Sequence, residues 1–255
     1  MFGAILGDII GSRFEFDRGG KTKDFELITD ECEWTDDTVM TVAVADALLS
    51  GRDLSASLRD WAARYPFAGY GSMFCRWLED ESMGPYNSCG NGSAMRVSAA
   101  GWLFDSMVET RLAARYTALV THNHPEGVKG AECTAAVIFM GRTGVPKEEI
   151  KQYVINEFGY DLSESLDELR ARHEHVETCQ DSMPKALASF FEGRDFEDVV
   201  RNAVSLGGDT DTLGAIAGAM AEGMYDIPEE LQAECLKRLP EDMREVVEEF
   251  YSRIR

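Results

Sequence analysis

Two short segments of the chain concentrate oxygen donors. EWTDDTV carries Thr35, Asp36, Asp37 and Thr38, and SLGGDTDTLG carries Asp209, Thr210, Asp211 and Thr212. Each mixes carboxylates with hydroxyls and contains no thiol or imidazole. Such hard ligands suit Mg²⁺ or Mn²⁺ rather than zinc. Brought together, these acids suffice for two divalent ions, and a metal pair can activate a water and grip substrate oxygens. Asp and Thr are also preferred helix N-caps, and acids suit the N-terminal end of the helix dipole. One segment alone therefore reads as a helix start. Two with matching chemistry are harder to dismiss, and Gly207-Gly208 before the second lets the backbone turn tightly against a ligand.

Three further segments carry candidate chemistry. NSCGNGSAMR contains Asn87, Gly90, Asn91, Gly92, Ser93 and Arg96. Backbone N–H groups where small residues open a helix can cradle a phosphate, although Gly-rich stretches also make ordinary turns. THNHPEGVKGA offers His122 as a substrate contact, or only a cap for a helix opening at Pro125. In GAILGDIIGSRFEF, Asp8 and Glu15 are two helical turns apart, which predicts one shared helix face. An isolated Glu15 would read as a surface acid. HEHVETC places His173, His175 and Cys179 together, but structural zinc sites normally use four ligands.

The elements that must position these groups read as helices. Glycines at 3, 7 and 11 form a stripe along an N-terminal helix, where another backbone can approach closely. Residues 37–50 form a capped helix, and Asp53 caps another that Pro66 ends. The stretch 80–92 reads as a loop, with helical patterns resuming at Ser93 and near Val108. Later starts fall at Pro125, Pro146, Ser163, Ser182, Phe196, Asp211, Pro228 and Glu241. Alternating strand patterns are nearly absent. The expectation is an all-α, single-domain chain over residues 1–255.

The chain has 255 residues, of which 44% are apolar, an ordinary globular composition. Its formal charge of −21 opposes binding to phosphate backbones or anionic lipid. Nucleic-acid and membrane partners are therefore not expected, and any anionic substrate must be held by local groups against the global field. No segment is long and apolar enough to span a bilayer, and MFGAILGDII lacks the basic start of a signal peptide. The six cysteines are scattered, with no C-x-x-C pair, which predicts reduced thiols and a cytoplasmic setting.

In chain order, GDIIGSRFE, WTDDT, CGNGSAMR, THNHPEGVKGA and the run from TCQDSMPKA through GGDTDTLGAIAGAMAE resemble the ADP-ribosylglycohydrolase family. This family includes the dinitrogenase reductase-activating glycohydrolase. The resemblance runs from residue 3 to about residue 228, and the ordered TDDT and GGDTDT pair is its most specific part. It implies a compact orthogonal helical bundle with a binuclear Mg²⁺ or Mn²⁺ centre that cleaves the C1″ bond of an ADP-ribosyl group. By motif position, Thr35, Asp36 and Asp37 resemble one set of metal ligands, and Asp209, Asp211 and Thr212 the other. Glu15 matches a glutamate near the metals, Gly90 to Ser93 match a diphosphate-wrapping turn, and His122 matches a substrate-lining histidine.

The sequence departs from the family pattern in places. Thr210 stands where serine is usual, Ser98-Ala99-Ala100 lacks a frequent proline, and Tyr225-Asp226-Ile227-Pro228 replaces Tyr-Gly-x-Pro. These positions bear on substrate choice more than on chemistry.

The implied partner is an ADP-ribosylated protein or small molecule, with nucleic acid only as an ADP-ribosylated substrate. Glycoside cleavage passes through an oxocarbenium-like state and needs a positioned water. Glu15, Asp37 and Asp209 are the candidate catalytic groups, and which carboxylate takes the water's proton stays open. Two rival readings stand beside this one. The first is a non-catalytic ADP-ribose binder or structural relative. The second is a metal-dependent phosphohydrolase using DTDT as a D-x-D-x-[TV] motif, which would require a buried strand before it.

Overall fold

The protein is described here from a computed structural model, covering residues 1–17, 21–172 and 174–254. The described residues form helices, and the only strand-like pairing among them is an isolated bridge between Gly90 and Thr178. The chain is all-α. It begins with α1 (Phe2–Ser12), followed by a 3₁₀ turn at Glu15–Asp17. Then come α2 (Asp36–Ser50), α3 (Leu54–Arg64), α4 (Ser72–Glu79), α5 (Gly92–Met95), α6 (Ser98–Trp102) and α7 (Met107–Leu119). The second half contains α8 (Pro125–Arg142), α9 (Lys147–Phe158), α10 (Leu166–Ala171), α11 (Cys179–Glu192) and α12 (Phe196–Val204). It closes with α13 (Thr210–Glu222), α14 (Glu229–Arg238) and α15 (Glu241–Ile254).

The centre is the pair α1 and α13. Every residue of α1 is buried, as is every residue of α13 before Glu222. A helix buried all round needs neighbours on every side. Here one neighbour comes unusually close. A Cβ on Gly3 would lie 2.1 Å from the carbonyl oxygen of Gly218, one on Gly7 2.0 Å from that of Gly214, and one on Gly11 2.2 Å from that of Thr210. The numbers run in opposite directions, so the helices are antiparallel, and the end of α1 lies beside the start of α13. Thr210 Oγ1 also donates to the Gly11 carbonyl at 2.8 Å. The glycine stripe is thus a backbone-to-backbone contact, with a second glycine stripe on α13 opposite it.

Local signals explain most helix ends. Thr35 caps α2 and Asp53 caps α3, and Gly51 ends α2 in the left-handed region at φ 71°. Several boundaries differ from expectation, among them α10, which starts at Leu166 behind its Ser165 cap rather than at Ser163. First, α1 ends at Ser12, so Asp8 and Glu15 do not share a helix face. The chain turns at Phe16, whose φ is 57°, and the Phe16 N–H reaches the Gly208 carbonyl. Second, α11 begins at Cys179 rather than Ser182, because the Thr178 hydroxyl accepts from Asp181 N–H. Third, Ser72–Glu79 is helical although the sequence carries no strong cap there; Phe74 and Trp77 supply its buried face.

The α1–α13 contact leaves no room for a methyl group. Gly7→Ala is expected to lose about 3 kcal/mol or more of unfolding free energy, because overpacking a rigid backbone contact costs at least as much as overpacking side chains. Gly84 faces open space, and Gly84→Ala should stay within about 0.5 kcal/mol of wild type. Urea melts of the two variants make the comparison; equal midpoints would contradict the contact.

Candidate metal and substrate site

The site forms where the end of α1, the start of α2 and the start of α13 meet. Asp8 sits in α1 with 0% exposure. Its carboxylate accepts from Thr35 N–H at 2.9 Å, Thr35 Oγ1 at 2.8 Å and Thr38 N–H at 3.1 Å, and from the Thr38 hydroxyl. One buried acid therefore fixes the whole TDDT turn. Asp8 was read from the sequence only as a helix-face partner of Glu15. The available signal was a charge inside an otherwise apolar, buried helix, which is rarely tolerated without a partner.

The TDDT turn then aims its acids inward. Asp36 and Asp37 open α2 and line a cavity of about 340 Å³, together with Glu15, Asp209, Asp211 and Thr212. Asp37 is 3% exposed; its Oδ2 accepts from Thr212 Oγ1 at 3.1 Å, and its Oδ1 has no hydrogen-bond partner. The Thr35 hydroxyl donates to Asp8 and accepts from Asp37 N–H at 3.3 Å.

On α13, Asp209 occupies the N-cap position but makes no side-chain cap. Its Oδ2 instead accepts from Asn91 Nδ2 at 2.6 Å, and the same amide reaches Ser182 Oγ at 3.1 Å. Glu15, Asp209 and Asp211 each offer an oxygen within 4.8 Å of the others, an arrangement that can hold a metal ion. Asp36 and Asp37 line the same cavity without belonging to that close group.

The electrostatics suit a cation. Burial raises Asp8 to about 7 and Asp36 to about 8, with the Asp211 charge adding to both. Burial also pushes Asp37, Asp209 and Asp211 above the usual carboxylate range, and Asp211 presses further on Asp37 and Asp209. Among the described residues, no Lys or Arg forms an ion pair with any of these acids. Buried carboxylates are normally paired or metal-bound. An oxygen-only donor set, an orphaned buried Oδ1 and missing counter-ions together fit Mg²⁺ or Mn²⁺.

The same cavity is also lined by Gly90, Asn91, Gly92, Tyr86, Arg96 and His122. The Asn91 N–H donates to the Glu177 carbonyl at 2.8 Å, which fixes the turn before α5. A Cβ on Gly92 would lie 3.3 Å from His122 Nε2, so the glycines keep this part open. Ser93 is placed differently from the other turn residues. It is fully buried, and its hydroxyl donates to the Gly127 carbonyl at 2.7 Å, so its side chain ties α5 to α8. His124 caps α8, accepting from Glu126 N–H at 3.1 Å.

The rival features fare less well. No strand precedes Asp209 among the described residues, so the structural context of a D-x-D-x-[TV] phosphatase motif is missing. The zinc trio includes His173, which lies outside the described residues. Cys179 Sγ is buried against the Gly90 carbonyl at 3.2 Å, and all six cysteines are free. Among the described residues, no helix is long and apolar enough to cross a membrane.

The ADP-ribosylglycohydrolase model matches residues 1–255. The chain belongs to the ADP-ribosylglycohydrolase family. A solved structure titled ADP-ribosylglycohydrolase-related protein complex superposes with a TM-score of 0.75 at 25% identity, covering 100% of this chain and 97% of that one. Human ADP-ribosylhydrolase ARH3 is 25% identical over 92% of this chain and 87% of its own length. ADP-ribosylarginine hydrolase Tri1 of Pseudomonas putida is 23% identical over 89% of this chain and 70% of its own. The resemblance read from the TDDT and GGDTDT segments is therefore a family relationship along the full chain, and this is a family of ADP-ribosyl hydrolases.

The raised acids bind protons more tightly in the folded chain than in the unfolded one. Their effect is harmless below the unfolded value of 3.8 and destabilising as pH rises through about 7 to 8. Chelator-treated protein should therefore melt at a higher temperature near about pH 5.5 than near about pH 8.5. Added Mn²⁺ should raise the melting temperature more at the higher pH. A metal-free melting temperature that climbs steadily over this range would contradict an unneutralised acid cluster.

Proposed function

We propose that this chain is a divalent-metal-dependent hydrolase that cleaves the C1″ bond of an ADP-ribosyl group and releases ADP-ribose. The observation that carries the reading is one cavity lined both by buried acids that pair with no Lys or Arg among the described residues and by a glycine turn, Arg96 and His122. A ribose faces the acids and a diphosphate faces the turn, so an anion is held locally in a chain of −21 net charge. Residues 1–255 act in this reading as one domain.

Asp36, Asp37, Asp209 and Asp211 would hold two Mg²⁺ or Mn²⁺ ions, with Thr35, Thr212 and Glu15 as further oxygen donors. Bound there, the metals would supply Lewis acidity and lower the pKa of a water. The protein's own residues do the rest. Asp8 holds the TDDT turn, and Asn91 orients Asp209 through its amide. Glu15, Asp37 or Asp209 receives the proton of the attacking water. In the turn from Gly90 to Ser93, Ser88 and Glu177 hold the Gly90 and Asn91 N–H groups, so the N–H groups of Gly92 and Ser93 and the ring of His122 bind the diphosphate. Among leaving groups, arginine is the first to test, since one relative is an ADP-ribosylarginine hydrolase.

The test is ADP-ribose release from ADP-ribosyl-arginine, ADP-ribosyl-serine and O-acetyl-ADP-ribose, with Mg²⁺, Mn²⁺ or chelator. Metal-dependent release from at least one is expected. Asp209→Asn keeps the shape of the side chain and its contact with Asn91, so the fold should survive while turnover falls by roughly a thousandfold. Near-normal turnover by that variant would remove the assignment.

A further inference from the structure

Arg96 is a buried cation without a carboxylate partner. It is 1% exposed, lines the cavity, and forms no ion pair among the described residues. Its Nη2 donates to the Thr117 carbonyl at 3.0 Å and to Thr121 Oγ1 at 2.7 Å, while its Nε has no hydrogen-bond partner. Burial lowers its pKa only to about 10, so it stays charged at neutral pH. Thr121 Oγ1 lies in turn 2.7 Å from His122 Nδ1.

These contacts order the protons. A guanidinium has only donors, so the Thr121 hydroxyl must accept from Arg96. The Tyr86 hydroxyl is a further partner of Thr121; when it donates, Arg96 and Tyr86 fill both lone pairs of the Thr121 oxygen, and the single Thr121 proton goes to His122 Nδ1. The opposite assignment would turn the positive N–H edge of the imidazole toward the guanidinium. The Arg96 charge and burial also hold the ring well below its usual pKa, so it is neutral. A neutral ring that accepts at Nδ1 carries its proton on Nε2. Nε2 faces the glycine turn, 3.3 Å from where a Gly92 Cβ would stand and 3.4 Å from a Gly90 Cβ.

We propose that Arg96 and Thr121 are positioning residues that lock His122 as the Nε2-protonated tautomer, presenting an N–H donor to an anionic group beside the glycine turn in the cavity. The identity of that anion as a diphosphate rests on the function proposed above, whereas the tautomer does not. The relay also accounts for a histidine that binds an anion without carrying charge. The favourable field comes from Arg96 behind it, and the ring passes a directed hydrogen bond forward.

The test separates the two layers. Long-range proton–nitrogen correlation spectra of histidine-labelled, ligand-free protein should show His122 protonated at Nε2 and bare at Nδ1, unchanged between about pH 6 and pH 8. Thr121→Val removes the hydroxyl at nearly constant shape and should give a tautomer mixture, with ADP-ribose affinity falling about tenfold. Thr121→Ser should restore both. A bare Nε2 in the wild type, or a valine variant with the wild-type tautomer, would overturn the relay. The expected spectra in a protein that does not bind ADP-ribose would uphold the relay and remove the diphosphate instead.

Discussion

The structure depends on one contact, the glycine-to-glycine packing of α1 on α13. Two backbones lie closer than any side chain allows, with Gly7 and Gly214 each leaving room for the other's carbonyl. Because the helices are antiparallel, this contact sets the end of α1 beside the start of α13. Glu15 follows the first, and Asp209 and Asp211 belong to the second. Asp8, one residue beyond Gly7, then faces the start of α2 and holds Thr35 and Thr38 through four hydrogen bonds. A packing solution and an acid cluster are thus the same piece of architecture.

That architecture carries an electrostatic strain that no Lys or Arg ion pair relieves among the described residues, although the Thr35 and Thr38 hydrogen bonds to Asp8 and the Asn91 amide on Asp209 offset part of it. Burial and mutual repulsion raise Asp8, Asp36, Asp37, Asp209 and Asp211 together. The buried cation nearest in function, Arg96, points its donors at Thr117 and Thr121 rather than at the acids. Acids and guanidinium thus line one cavity without pairing with each other. Helix starts at α2 and α13 favour the ionised acids through their dipoles, but a dipole of half a charge falls short of five carboxylates.

Much of this was legible in residue order. The glycine spacing announced a close helix contact, the oxygen-donor segments announced an acidic cluster that can hold a metal ion, and the paired DT motifs announced the family. The all-α fold followed from periodicity and caps. What stayed hidden was whatever depends on residues distant in sequence. Asp8 reads as a helix-face acid until Thr35 and Thr38 are seen around it. Arg96 reads as a free positive charge until Thr121 takes its donors. Ser93 looks like part of a phosphate turn, yet its hydroxyl belongs to α8, because a turn of small residues brings side chains inward as readily as outward. The shared face of Asp8 and Glu15 failed for a local reason: α1 ends at Ser12, and the Phe14 N–H turns back to the Gly11 carbonyl before Glu15 is reached.

The most direct test of the account is a Mn²⁺ titration of chelator-treated protein at neutral pH, with free ion followed by electron paramagnetic resonance and released protons followed by indicator. The account predicts saturable uptake of two ions per chain accompanied by proton release, since acids with raised pKa must ionise to bind. Uptake that does not saturate up to millimolar Mn²⁺, with no proton release, would contradict it.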